Sequence, residues 1–528
     1  MRQHDIFESI YLCLLILYSL LREVIPAQNV IGNSTLIVFL FVLGLLIITR
    51  RLMSNKSTDI LINNISLICF IFVCVISAAI NYKYSFTQNV KAICWLILYF
   101  GFCYVYGYEL RDKKLKKIIG GFAFISLTVL CAISLPMYYL DIDYTSINRN
   151  VIGTVSNQGF SLEYMRLWGV FADPNTGAIY TLIAISIGVW LMASCRRRWL
   201  VILIPSEFIL FSYFVLSGSR TAFLAMLVGV AFAVAGVIYR KTNRKIILSC
   251  IGGILGIILV LVICGVIKAC LPHVKSCVKQ TTTDITQKVV REYYDKLYIY
   301  SGVEIESGLA AQDDGIIVND NSAIDSDQAT EIIERDDLKE KNDVSNGRFA
   351  IWKDSVRLFL KAPLFGTSPR GASEFGKDYC PDNCISQWGY SAHNSWLELL
   401  MCTGIIGLLV MSYIVFSSMF RGLKVFSFGD ISDDILCMSV AWELIVASML
   451  LSDLFFVFTF GGVLFWFVVG AMNSRYVQVL SSCNKGKNRN RILIYGPKDP
   501  VGGVENIVFE YVRNIVNNHQ DISFDYLE

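Results

Sequence analysis

The sequence predicts an all-α, polytopic integral membrane protein with about twelve transmembrane helices and one long external loop. Three observations lead there. The 528 residues are 55% hydrophobic and only 17% charged, with a mean hydropathy of +0.54, whereas soluble domains usually carry about 25% charge. The apolar residues come in blocks of about 20, the length that crosses a hydrocarbon core, and not at the spacing of an amphipathic surface helix. Finally, Lys and Arg are concentrated in alternate loops. A soluble enzyme, a disordered chain and a collagen-like chain are excluded. A net charge of +3 gives no sign of a nucleic-acid partner.

Apolar runs centre on residues 7 to 21, 35 to 49, 60 to 80, 90 to 108, 118 to 138, 175 to 194, 199 to 217, 221 to 239, 246 to 269, 395 to 419, 435 to 454 and 459 to 474. Arg2 precedes the first run as in a signal peptide, but Arg22 and Glu23 follow it without a small-residue cleavage pattern, so it reads as a retained helix. One set of loops holds Arg50, Arg51, Lys56, Arg111, Lys113, Lys114, Lys116, Lys117, Arg196 to Arg198, Arg240, Lys241, Arg244, Lys245, Arg421 and Lys424. The other short loops contribute only Arg22, Lys83, Lys91, Arg149, Arg166 and Arg220. The positive-inside rule puts the first set and both termini in the cytoplasm. The expected organisation is helices one to nine over 1–269, an extracytoplasmic loop over 270–394, helices ten to twelve over 395–476 and a cytoplasmic tail over 477–528.

Most of the 16 cysteines fall inside these runs, where a thiol acts as a small apolar residue. Cys270, Cys277, Cys380 and Cys384 lie on or beside the external loop, where one or two disulfides are an open expectation. Their spacing is not that of a zinc site. Within the loop, residues 303–345 are acidic, poor in large apolar residues and expected to be mobile. Phe349, Trp352, Val356 and Phe359 then recur at spacings of three and four, which predicts an amphipathic helix ending at Pro363 that lies along the membrane surface or caps a cavity.

Ionisable residues near lipid are costly and call for a functional explanation. Those at the outer ends of the predicted spans are Arg166 and Asp173 in RLWGVFADPNTG, Arg220 in SGSRTAFL, Arg348 and Arg370 flanking the amphipathic helix, and His393 in SAHNSWLELL. The stretch at 166–175, SGSRTA at 217–222, GRFxIW at 347–352 before a PLFGxSP turn, and HNSWLELLxxxGxxG at 393–407 occur in that order around the external loop. In this pattern, over roughly residues 60 to 474, the chain resembles the O-antigen ligase and polymerase superfamily of bacterial membrane glycosyltransferases. The resemblance implies a glycosyltransferase C-like fold and a polyprenyl-diphosphate-linked oligosaccharide as substrate. It implies no cofactor and no obligatory metal. It also implies residence in the bacterial cytoplasmic membrane, with chain-length regulator and flippase proteins as partners. RILIYGPKDPVGGVENIVFEYVRNIV at the C-terminus resembles the first strand, Gly-containing loop and helix of retaining glycosyltransferases with two Rossmann-like halves, and a fused or truncated second enzyme is the expectation for that tail.

The residue chemistry fits independently. A lipid diphosphate gains charge as its glycosidic bond breaks, and guanidinium groups bind phosphate bidentately while staying charged, which suits Arg220 first and Arg348 second. Arg166, Arg370 and Asp173 are candidates to hold glycan. His393, with an imidazole pKa near 6.5 when unperturbed, is the candidate base for the attacking sugar hydroxyl. Each has a structural competitor: an Arg at a helix end anchors it in the interface, Asn394 after His393 can cap a helix, and Asp173-Pro174-Asn175 is a helix-start signal. Glu207, Glu443 and Asp453 lie within predicted helices, and Asp141 with Asp143 reads as a solvated turn.

No P-loop, HExxH or GxSxG is present, so an ATPase, a zincin and a common serine hydrolase are unsupported. The expected function is polymerisation of lipid-linked repeat units into surface polysaccharide. A ligase that passes glycan to a lipid core or a protein is the nearest alternative. A lipid-linked oligosaccharide flippase lacks the internal symmetry that carriers usually show, and a structural scaffold for assembly enzymes would tolerate loss of Arg220 and His393.

Overall fold

The structure is a computed structural model and describes residues 3–31, 34–53, 55–147, 155–161, 165–242, 245–300, 347–425, 431–452, 454–487, 490–495 and 522–527. Its helices are α1 (Gln3–Leu21), α2 (Ile25–Ile31), α3 (Ser34–Leu52), α4 (Asn55–Ile62), α5 (Ile65–Ile80), α6 (Phe86–Glu109), α7 (Lys113–Tyr139), α8 (Pro174–Ser194), α9 (Leu200–Leu216), α10 (Arg220–Lys241), α11 (Ile246–Thr281), α12 (Asp284–Tyr300), α13 (Arg348–Lys361), α14 (Ala372–Tyr379), α15 (Cys384–Trp388), α16 (Ser395–Val425), α17 (Ile431–Ser448) and α18 (Phe460–Lys487). Among the described residues ten are long and apolar enough to cross a bilayer: α1, α3, α6 to α11, α16 and α18. The protein is thus an all-α polytopic membrane protein.

The expected count of twelve is approximate for two physical reasons. The third run forms α5, whose 16 residues are short for a full crossing. The eleventh forms α17, which carries Asp433, Asp434 and Glu443 within 18 residues. The ninth run does not stop at 269 either: α11 continues to Thr281, so the expected external loop begins as helix. The four cysteines of that region are free thiols, and the disulfides weighed for them do not form. The acidic stretch 303–345 and Asp453 lie outside the described residues.

Close helix contact depends on glycine, as expected where lipid supplies no hydrophobic drive between helices. A Cβ on Gly107 of α6 would overlap the Phe467 backbone of α18, and one on Gly470 of α18 would overlap Tyr104 of α6. Just before Gly107, α6 carries a π-helical stretch, Tyr99–Tyr104, and Phe100 packs edge-on against the fully buried Trp466, ring centroids 4.6 Å apart.

The charged loops sort by side. Arg51 pairs with Glu8 and with Glu109, Lys116 with Asp433, and Arg240 and Arg475 both with Asp434. These residues come from the start of α1, the end of α3, the end of α6, the starts of α7 and α17, the end of α10 and the lower part of α18, so one end of the bundle collects the basic loops. The opposite end collects the start of α8, the start of α10 and the start of α16.

Two features of that opposite end were not expected. Strands β1 (Asp143–Ile147), β2 (Val155–Ser161) and β3 (Arg166–Gly169) form an antiparallel sheet in that order between α7 and α8. The tenth run is not one continuous helix: α16 breaks at Gly404, where φ is 65° and ψ is −167°. The PLFGTSP segment fills the break, with Ile405 N–H donating to the Pro363 carbonyl at 2.9 Å, Thr367 N–H to Met401 at 3.0 Å and Ser368 N–H to Cys402 at 3.1 Å. Non-helical backbone at membrane depth needs such partners. The two motif glycines meet there: a Cβ on Gly366, itself at φ 69°, would overlap Cys402, and one on Gly404 would overlap Leu364.

At the C-terminus β4 (Asn490–Tyr495) pairs in parallel with β5 (Ile522–Leu527). The first of these is the strand expected at RILIY. The expected helix after Gly502 and Gly503 lies outside the described residues.

Candidate active site

The site is built on three helix starts, and each start is a cap written in the sequence. At α8, Asp173 Oδ2 accepts from Thr176 N–H at 2.9 Å and from the Thr176 hydroxyl at 2.9 Å, while Oδ1 accepts from Asn175 Nδ2 at 3.2 Å. Pro174 is at the first turn, where its missing N–H costs nothing. At α10, Ser219 Oγ accepts from Ala222 N–H at 3.3 Å, which makes Arg220 the first helical residue. At α16, Asn394 Oδ1 accepts from Trp396 N–H at 2.9 Å and Leu397 N–H at 3.1 Å. Asn394 therefore does the capping that the sequence allowed for, which leaves the imidazole of His393 outside the cap.

Asn175 joins two of these starts. Its Oδ1 accepts from Arg166 Nη2 at 3.0 Å and from Ser219 Oγ at 3.0 Å. Arg166 also donates from Nε to the Ser217 carbonyl at 2.7 Å and is buried. The RLWGVFADPN and SGSRTA motifs thus meet through Arg166, Asn175 and Ser219, and their common effect is to hold Arg220, exposed, at the tip of α10. Arg166 and Asp173 spend these groups on the scaffold.

His393 lies in the left-handed region at φ 46°, a conformation that costs a non-glycine residue about 1–3 kcal/mol and tends to occur where function requires a set direction. The third start is held by the 451–459 connection: Ser395 N–H donates to the Leu451 carbonyl at 3.0 Å and Asn394 N–H to Ser452 Oγ at 3.1 Å. Burial and then the neighbouring Arg348 guanidinium hold the His393 imidazole below its usual value, against an opposite pull from Asp173. His393, Arg348 and Asp173 therefore share one electrostatic neighbourhood, and a neutral imidazole there can accept a proton.

Arg348 opens α13, after Gly347 at φ 79°. The amphipathic pattern of α13 turns outward: Phe349, Val356 and Leu360 are exposed, and Ser355 and Leu358 are the residues buried against the protein. That fits a helix lying in the membrane interface. Arg370 makes its contacts elsewhere. Its backbone N–H donates to Asn89 Oδ1 at 2.7 Å and its guanidinium stands 3.8 Å from Glu398, buried in α16. Asp141, from the Asp-x-Asp turn, is an ion-pair partner of Lys275 and Lys279.

Glu23 is the site neighbour that the sequence alone did not indicate. Its carbonyl accepts from Ala172 N–H at 2.8 Å, and Val24 bridges to Phe171, next to Asp173. About 150 residues separate the two segments, and the only local signal was an Arg22-Glu23 pair where an apolar run ends.

Residues 205–412 match the family model described as O-antigen ligase. That span contains SGSRTA, GRFAIW, PLFGTSP and HNSWLELL, and hence Arg220, Arg348, Arg370 and His393. No curated protein matches the chain. Over that segment, which encodes the helix starts at α10 and α16, the chain is similar to the O-antigen ligase family, glycosyltransferase-like enzymes of surface polysaccharide assembly.

Proposed function

We propose that the protein polymerises polyprenyl-diphosphate-linked oligosaccharide repeat units into surface polysaccharide at the outer face of a bacterial cytoplasmic membrane. The observation that carries this reading is the meeting of the starts of α8, α10 and α16 at the end of the bundle opposite the basic loops, with Arg220 and His393 at two of them and Arg348, at the start of α13, in the electrostatic neighbourhood of His393. The positive-inside rule puts the basic end, and so both termini, in the cytoplasm. The domain division expected from the sequence is part of this proposal, with α11 extending past its boundary, and the parallel C-terminal strands are read as a glycosyltransferase-like element.

In the proposed step an acceptor sugar hydroxyl attacks the anomeric carbon of the donor unit. Its oxygen forms the new glycosidic bond, the bond from that carbon to the diphosphate oxygen breaks, and the electron pair leaves with the lipid diphosphate. The hydroxyl proton passes to the neutral imidazole of His393. Arg220 and Arg348 balance the charge that develops on the leaving group. A single displacement inverts the anomeric configuration. Chain-length regulators and the flippase that delivers the units are the partners this chemistry calls for.

The family description favours a second reading, a ligase that uses the same donor and a different acceptor. The test is the length distribution of surface glycan in cells lacking the native protein and complemented with wild type, Arg220→Ala or His393→Ala at matched membrane levels. Long chains with wild type and single repeat units with both variants support the polymerase. Full-length glycan accumulating on the carrier lipid in the variants supports the ligase, and normal glycan in both variants overturns the assignment of the site.

A further inference from the structure

Two carboxylates stand close together at this end of the bundle, and they are used differently. Asp173 gives both oxygens to the cap of α8, through Asn175 and Thr176. Glu23 has its backbone fixed as firmly, since its carbonyl accepts from Ala172 N–H at 2.8 Å, Ile25 N–H donates to the Val170 carbonyl at 3.0 Å, and Val24 bridges to Phe171. Its carboxylate accepts no hydrogen bond among the described residues. The adjacent Arg22 guanidinium turns to the Phe458 carbonyl, 3.2 Å away, on the same 451–459 connection that holds Asn394 and Ser395.

Burial pushes the Glu23 carboxyl above its usual range; Arg22 lowers it and Asp173 raises it further. Asp173 acts electrostatically on His393 as well, and the backbone bond to Ala172 sets Glu23 beside Asp173. Glu23 is half-buried, and a partly desolvated carboxylate that accepts no hydrogen bond gains when donors arrive with a ligand. The ligand chemistry follows from charge. A diphosphate is repelled by Glu23 and Asp173 and attracted to Arg220 and Arg348, while sugar hydroxyls are neutral donors that a carboxylate accepts well.

We propose that Glu23 is a further substrate-binding residue of this site, whose carboxylate accepts hydrogen bonds from hydroxyls of the acceptor sugar presented to His393. This rests on the glycosyltransfer reading above. It divides the site into a carboxylate edge for the acceptor sugar and a guanidinium edge for the diphosphate.

The test uses the full-length protein in proteoliposomes, with lipid-linked repeat units extracted from cells that lack it. Glu23→Ala, Glu23→Gln and Glu23→Asp are compared with wild type, and His393→Ala is the control. A rise in KM of about tenfold or more for Glu23→Ala, with kcat changed less, is expected from loss of hydrogen bonds to a charged acceptor. Glu23→Gln, which keeps one acceptor oxygen, shows a smaller rise. A merely structural role would lower the membrane level and leave KM unchanged in the protein that remains. Wild-type KM in Glu23→Gln and Glu23→Ala, with His393→Ala inactive, overturns the inference alone. An active His393→Ala overturns the glycosyltransfer reading on which it rests.

Discussion

The two ends of the helical bundle use the same residue types for opposite ends. At the basic end charges are consumed in pairs: Arg51 and Glu8 are both buried and bonded to each other, and Asp434 is shared by Arg240 and Arg475. At the other end polar side chains are consumed in building caps, by Asp173, Asn175, Ser219 and Asn394. The caps hold the helix starts that carry Arg220, exposed, and His393, half-buried, and Arg348 after Gly347 is half-buried as well, where a ligand can reach them. A charge near lipid is thus evidence of function only after its partners are known. Arg51 and Arg220 look alike in sequence, each at a helix end, and differ in exposure: Arg51 is buried against Glu8 and Glu109, and Arg220 is exposed.

That contrast can be broken by substitution. The largest effect is expected for His393→Ala, which removes the proton acceptor and lowers the transfer rate by about 10²–10⁴-fold at normal membrane levels. Arg220→Ala comes next, with a loss of about 10²–10³-fold, and Arg220→Lys recovers only part of it because an ammonium cannot bind phosphate as a fork. Both are read as initial rates of glycan extension per protein molecule. At the basic end Arg51→Ala acts differently: it leaves the buried Glu8 with Arg50, 2.7 Å away, as its remaining cation, and lowers stability by about 1–3 kcal/mol, seen as an earlier thermal unfolding transition in detergent, while the rate per folded molecule stays at the wild-type value. Asn394→Ala is the mildest, costing about 1 kcal/mol through loss of the α16 cap. A rate loss in Arg51→Ala as large as in Arg220→Ala would erase the distinction between the ends.

The spans were legible because hydrocarbon thickness imposes blocks of about 20 apolar residues and nothing else in the chain looks like that. The helix starts that carry Arg220 and His393 were legible because each stands at the polar edge of such a block, within a recognisable motif. The sheet β1–β3 was not, since its strands are short and lack a sustained apolar alternation. The break in α16 was hidden inside one apolar run, and only Gly404 and the distant PLFGTSP turn carried it. Glu23 was invisible for a different reason: its meaning comes from pairing with residues 170–172, and a contact across that sequence distance leaves no local pattern.

The central claim is that neutral His393, with its imidazole depressed by burial and by Arg348, accepts the acceptor proton. Its most direct test is the pH dependence of the transfer rate in proteoliposomes for wild type and Arg348→Gln. Protonation disables the base, so the wild-type rate falls on acidification with a midpoint below 6.5, because the folded pKa is lowered. Removing the guanidinium removes a charge that disfavours imidazolium, and the midpoint moves up in Arg348→Gln even as the rate itself drops. A midpoint that stays where it is in that variant, or no acid limb between pH 4 and 7 in wild type, would contradict the account.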